Sequence, residues 1–241
     1  MKTPRTCRLC GEATILRQSH ILPEFVYELT YEGNRALSVA ADGTGKVNTV
    51  QQGIWEWLLC DRCEGHFSRF ESHAADVIRE IAPRLRGAAR GEVVTVHAEY
   101  RSLKLFLLSI LWRAAVSKAA NFRAVDLAHL EPVVRQMLQP EASAPGGVNF
   151  MPCFAIAPVG LQNFDRVVAP AGRGDLQGVL VVWLTFYGMH WFFAIAEVDE
   201  LPVRMPVAAT HHGLSVIIDG RSEDEEFRRI LAHIGDIADI V

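Results

Sequence analysis

Cys7-Arg8-Leu9-Cys10 and Leu59-Cys60-Asp61-Arg62-Cys63-Glu64 are the two stretches on which the fold of this 241-residue chain turns. Each contains a C-x-x-C step, and 49 residues lie between Cys10 and Cys60. One step lets two sulfurs grip the same ion from a tight turn, so two steps supply the four thiolates of a tetrahedral zinc. Gly11, directly after the first pair, suits a knuckle turn that needs positive φ. The second pair opens a helical pattern in which Phe67, Phe70, Ala74, Val77, Ile78 and Ile81 recur at steps of three and four. The spacing therefore predicts a zinc that ties an N-terminal knuckle to the start of a helix at residue 61. Four thiolates close the coordination shell, so this zinc is expected to contribute folding free energy and no catalysis.

Outward from the cysteines the pattern alternates between classes. A short strand is expected at 13–16 and a short helix at 23–31, with Phe25, Val26 and Leu29 on its apolar face. Residues 32–53, rich in Gly, Asn, Asp and Thr, read as a long loop or irregular hairpin. A strand at 92–97 precedes a strongly apolar helix at 102–118, and a second helix is expected at 126–138. Pro140 to Pro152 has a linker's composition. Strands follow at 153–157, 178–187, 190–197 and 214–218, with an amphipathic helix from residue 222. The expected class is α+β, with a zinc treble-clef module over residues 1–90 and a larger helical and β-rich part over 91–241.

Residues 179–196 carry no Asp, Glu, Lys or Arg, which by length sits at the lower limit for a membrane span. Tyr187-Gly188-Met189-His190 interrupts the run, and β-branched and aromatic residues flank it, so a buried β-hairpin is expected and no membrane partner. No apolar run follows Met1-Lys2-Thr3-Pro4-Arg5, and four of the five cysteines have metal spacing. Reduced thiols and a cytoplasmic protein follow as expectations. Cys153 reads as a small buried apolar residue. The net charge of −4 conceals an asymmetry, because residues 1–123 hold 17 Lys and Arg against 13 Asp and Glu, and the remainder 7 against 15. Any nucleic-acid partner is thus expected on the first half.

These residues resemble the HNH (ββα-metal) endonuclease superfamily in its zinc-bearing form. The elements are Cys7-Arg8-Leu9-Cys10, then His20-Ile21-Leu22-Pro23, then Leu59-Cys60-Asp61-Arg62-Cys63 opening a helix, over about a third of the chain. The Ser19-His20-Ile21-Leu22-Pro23 stretch also resembles a group of uncharacterised bacterial proteins. The resemblance implies a structural zinc on Cys7, Cys10, Cys60 and Cys63, His20 as general base, and Glu64 as ligand of a catalytic Mg²⁺ or Mn²⁺. Glu71, at i+7 from Glu64 on one helix face, offers a second carboxylate. Cleavage of a phosphodiester needs a base for water and a cation for the charge on phosphate and leaving oxygen. The chain departs from the family at Ser19, where an acidic ligand is common, at the missing motif asparagine, for which Gln51 or Gln52 could serve, and at Glu64 in place of histidine.

The bland alternatives are specific. Asp61 and Glu64 could form a capping-box-like pair, and His20 could only brace a loop. His66 and His73 are expected on the surface or against a partner, and His211-His212 in a loop. Arg8, Arg17, Arg62 and Arg69, with Arg5, are the candidate phosphate contacts. Trp55 and Trp57 could stack on bases, with at least one of them expected in the core. Two functions therefore compete: a metal-dependent endonuclease acting on DNA in preference to RNA, or a catalytically inactive zinc-stabilised module that binds nucleic acid or protein.

Overall fold

The computed structural model describes residues 3–30, 36–39, 47–50, 53–141, 146–147, 149–157, 167–176, 178–197, 208–210 and 212–218. Two short antiparallel strands, β1 (Arg5–Thr6) and β2 (Ala13–Thr14), bracket the first cysteine turn. Gly11 rounds that turn at φ 79°, the left-handed conformation its position called for. After β3 (Leu16–His20) comes α1 (Glu24–Thr30), which buries Val26 and Tyr27. The polar stretch beyond it contains a regular antiparallel pair, β4 (Ala36–Val39) and β5 (Val47–Val50). β6 (Trp55–Cys60) then returns antiparallel to β3 and runs without a break into α2 (Asp61–Gly87).

The apolar period of α2 is seated as the sequence predicts, with Cys63, Phe67, Phe70, Ala74, Val77, Ile78 and Ile81 buried. The capping pair is not formed. Cys60 occupies the N-cap, Asp61 is already helical, and its carboxylate accepts from Arg17 Nε at 2.8 Å. β7 (Val93–Val96) leads to α3 (Tyr100–Val116), capped by the Glu99 carboxylate on the N–H groups of Arg101 and Ser102. The helix expected at 126–138 is shorter. The Asp126 carboxylate takes the Ala128 N–H into a turn, and α4 (Glu131–Met137) begins only where Pro132 can occupy its first turn.

The remaining strands are β8 (Cys153–Ala157), β9 (Val167–Leu176), β10 (Val179–Phe186), β11 (Met189–Ala194), β12 (Ala209–Thr210) and β13 (Gly213–Ile218). They build a nine-stranded sheet with β4, β5 and β7, in the order β12-β13-β8-β11-β10-β9-β4-β5 and with β7 also on β13. Leu214 pairs with both Ala209 and Val96, so β7 and β12 take opposite edges of β13. The uncharged run is the β10–β11 hairpin, turning through Tyr187 and Gly188 at φ 52° and 69°. No helix among the described residues is long and apolar enough to cross a membrane.

The stretch read as a linker is anchored at its far end. Phe150 and Met151 are buried, and their carbonyls accept from the buried Lys104 Nζ of α3 at 2.7 and 2.8 Å. Burial pulls that ammonium down to about 8. One cluster of buried hydrophobics extends from Cys7 to Ile218 and includes α2, α3 and one face of the large sheet. A second, with Phe154, Trp183 and Phe192, lies on that sheet away from the first. Gln51, Gln52, His211 and the helix expected from residue 222 lie outside the described residues.

Candidate metal centre and adjoining polar site

The β1–β2 turn and the β6–α2 junction bring the two C-x-x-C steps together. The sulfurs of Cys7, Cys10, Cys60 and Cys63 all lie within 4.8 Å of one another, and Cys10 Sγ is 3.8 Å from Cys60 Sγ. Zinc–sulfur bonds near 2.3 Å give a tetrahedron whose edge is about 3.8 Å, so this spacing fits the ion. The Cys60 N–H donates to Cys7 Sγ at 3.4 Å, and the Arg8 N–H to the Leu58 carbonyl at 3.0 Å. Burial pushes the Cys7 and Cys63 thiols up. At Cys10 burial acts in the same sense, but the Glu12 backbone and the neighbouring thiols outweigh it and bring the group down. A cation at the centre removes the penalty of gathering four thiolates, and this soft donor set could bind a structural metal such as zinc.

Beside this cluster the β3–β6 pair places Ser19 opposite Glu56 and His20 opposite Trp55. Alternation along β3 directs these two pairs to opposite faces. Ser19 is fully buried, and its Oγ accepts the Leu59 N–H at 3.1 Å. Its hydroxyl also neighbours Glu64, on the first turn of α2. Burial pushes the Glu64 carboxyl up, with Ser19 and the Arg113 guanidinium pulling the other way. Glu64 Oε1 is buried and has no hydrogen-bond partner.

Arg113 of α3 organises what lies next to Glu64. Only 1% of its side chain is exposed, yet Nη1 donates to the His20 carbonyl at 2.8 Å and Nε to the Ser109 carbonyl at 3.3 Å. Nη2 forms an ion pair with Glu71 Oε1 at 2.8 Å, without the alignment of a hydrogen bond, and the guanidinium carbon lies 5.4 Å from the Phe67 ring centroid. The His20 imidazole is half-buried, tilted against Tyr27 at 6.3 Å. Burial lowers its pKa, the Glu24 carboxylate opposes this, and Arg113 adds to it, so the ring is neutral at pH 7.

The structure thus ties Glu71 and the His20 main chain to one buried arginine, with Glu64 within reach of its charge and Ser19 set against Glu64. His66 lies outside the group and packs edge-on to Phe70 at 4.8 Å, while His73 Nε2 accepts the Glu99 N–H at 3.1 Å. Of the candidate phosphate contacts, Arg17 is paired with Asp61, Arg62 reaches Glu12 and Glu141, and Arg8 and Arg69 are exposed. Sequence reasoning missed Arg113. Its signal was present, since it falls three residues after Ile110 and seven after Phe106 on the apolar stripe of α3. Comparison with protein-family models, curated proteins and solved structures found no match.

Proposed function

We propose that this chain is a zinc-stabilised, divalent-cation-dependent endonuclease of HNH type, hydrolysing phosphodiester bonds of DNA in preference to RNA. In this reading the β1–β2 knuckle, the β3–β6 pair and the start of α2 form a treble clef around zinc. The observation that supports it most is the buried Glu64 oxygen without a hydrogen-bond partner, beside Ser19 and one residue along β3 from His20. A buried carboxylate oxygen without a partner is costly, and binding a cation relieves that cost.

Glu64, with the Ser19 hydroxyl beside it, would hold Mg²⁺ or Mn²⁺; such an ion, when bound, stabilises charge on the scissile phosphate and leaving oxygen. His20, neutral at working pH, takes the proton from the attacking water. Arg113 fixes the His20 main chain through its carbonyl, and Glu71 holds Arg113 in turn. The phosphate lies across the end of β3, with His20 on one side and Glu64 on the other.

A specific observation favours the second reading, an inactive binding module. The Arg113 guanidinium already neutralises Glu71, and Ser19 carries no charge, which leaves Glu64 as the anionic ligand on this face of α2. Cleavage of supercoiled plasmid by zinc-loaded protein separates the two. The nuclease nicks plasmid only with added Mg²⁺ or Mn²⁺, and both His20→Ala and Glu64→Gln abolish nicking. DNA bound and retarded on a gel but never cut, under every cation tried, supports the binding module. Cleavage retained by His20→Ala removes His20 from the mechanism.

A further inference from the structure

Ile15 and Trp57 are exceptions among the large apolar side chains of the described residues, most of which are buried. They are 40% and 39% exposed, and they converge on one surface pocket of about 210 Å³ shared with Thr3, Arg5 and Leu16. Among the described residues, no acidic side chain lines it. Trp57 stands edge-on to Trp55 at 5.9 Å, Gln18 lies opposite Trp57, and His20 lies opposite Trp55. Residues paired across an antiparallel ladder project to the same side, as do i and i+2 on one strand. Trp57, Trp55, Gln18 and His20 therefore share one face of the β3–β6 pair, and the pocket opens at its far end from His20. Trp57 and Trp55 are about 7 Å apart along the strand, two residues at 3.4 Å each.

We infer that this pocket seats an unpaired base of a single-stranded nucleic acid, stacked on Trp57, with the backbone passing Arg5 and running along the tryptophans towards His20. The inference rests on the proposal that the chain acts on nucleic acid, and it names the form of the substrate. An apolar indole wall beside an exposed guanidinium complements a flat π-face joined to an anion, which is the chemistry of one nucleotide. A base inside a duplex keeps both faces stacked and its edge paired, so it cannot enter a concave pocket without being extruded. An unpaired base enters at no such cost. The indole–base contact is indifferent to base identity, so single strands of differing sequence bind alike.

The test is fluorescence anisotropy of a short labelled oligothymidylate, and of a labelled duplex of equal length, titrated with zinc-loaded protein at one low salt concentration. Wild type is expected to prefer the single strand. Trp57→Ala weakens single-strand binding about tenfold or more and leaves duplex binding unchanged, whereas Trp57→Phe retains most of the affinity. Trp57 is partly exposed, so both variants keep the wild-type zinc content and circular dichroism. Equal binding by wild type and Trp57→Ala, preference for the duplex, or no binding to either oligonucleotide overturns the inference. Single-strand binding through Trp57, with neither supercoiled plasmid nor single-stranded circular DNA cleaved under added Mg²⁺ or Mn²⁺, leaves it standing and defeats the nuclease proposal. Cleavage that depends on His20 and is untouched by Trp57→Ala, with binding equally untouched, does the reverse.

Discussion

Arg113 concentrates more consequence than any other side chain near the candidate site. A guanidinium out of water is tolerable only when its charge is matched and its N–H groups find acceptors, and here Glu71 and the carbonyls of His20 and Ser109 do both. Arg113→Met should therefore cost about 3 to 5 kcal/mol of stability, because it strands the Glu71 carboxylate and leaves the His20 carbonyl without a donor. Adding Glu71→Gln to that variant should recover part of the loss, and urea denaturation of the four proteins of the cycle measures the coupling. Independent effects, with the double variant as unstable as the sum of the singles, would show that the pair does not act as a unit. Ser19 carries the complementary lesson. From sequence it looked like the loss of an acidic ligand, and in the fold it is a fully buried hydroxyl held by Leu59 and set against Glu64.

At the scale of elements, a metal on the four cysteines would join pieces too short to hold themselves. β1 and β2 are two residues each, and β3 and β6 form a sheet of only two strands. Metal analysis should find one zinc per chain, and Cys63→Ser should lose it. Hydrogen exchange of that variant should show protection lost in β1, β2, β3, β6 and the first turns of α2, and kept in β8, β10 and β11. Equal loss throughout the chain would mean that the zinc holds the whole fold. Legibility followed periodicity. α2 and the β10–β11 hairpin were readable because one presents a clean period of three and four and the other two dense β-branched and aromatic runs about a Tyr-Gly turn. β9 was not, because Pro170, Gly172, Arg173, Gly174 and Asp175 carry no alternating apolar pattern to mark a strand. Its chain is fixed by its neighbours instead, and a Cβ on Gly172 would lie 2.2 Å from the Trp183 ring. Of the candidate site, the cysteine cluster was legible from spacing, while His20 and Glu64 entered through the resemblance; the place of Arg113 on the apolar stripe of α3 signalled its burial but not its reach to a carbonyl 93 residues back.

Acid should unfold the whole molecule early. His190 is buried in the β10–β11 hairpin with Nδ1 2.8 Å from Thr185 Oγ1, and burial lowers its pKa to about 3. Below pH 6.5 the unfolded chain binds a proton that the folded chain refuses, so stability falls as pH falls, by about 1.4 kcal/mol per unit from this residue and about 2 kcal/mol by pH 5. His20 and His66, also lowered by burial, act in the same direction. Glu64 opposes them, since its raised pKa makes the folded state take up a proton first. Acid also releases metal from thiolates, so the informative comparison is with His190→Gln, whose urea midpoint should drop less between pH 7 and pH 5 than that of wild type. Equal drops would place the acid sensitivity elsewhere. Arg113 has one more consequence, which concerns the order in which the chain is made. All four cysteines have been synthesised once residue 63 has been added, whereas Arg113 arrives 50 residues later. A nascent chain can tie its metal knot while Glu71 and the His20 carbonyl still face water, and α3 completes the site afterwards. A product truncated between those points could carry zinc and a histidine whose carbonyl lacks the Arg113 donor, so for a nuclease the ribosome itself would delay the moment at which the molecule becomes able to cut.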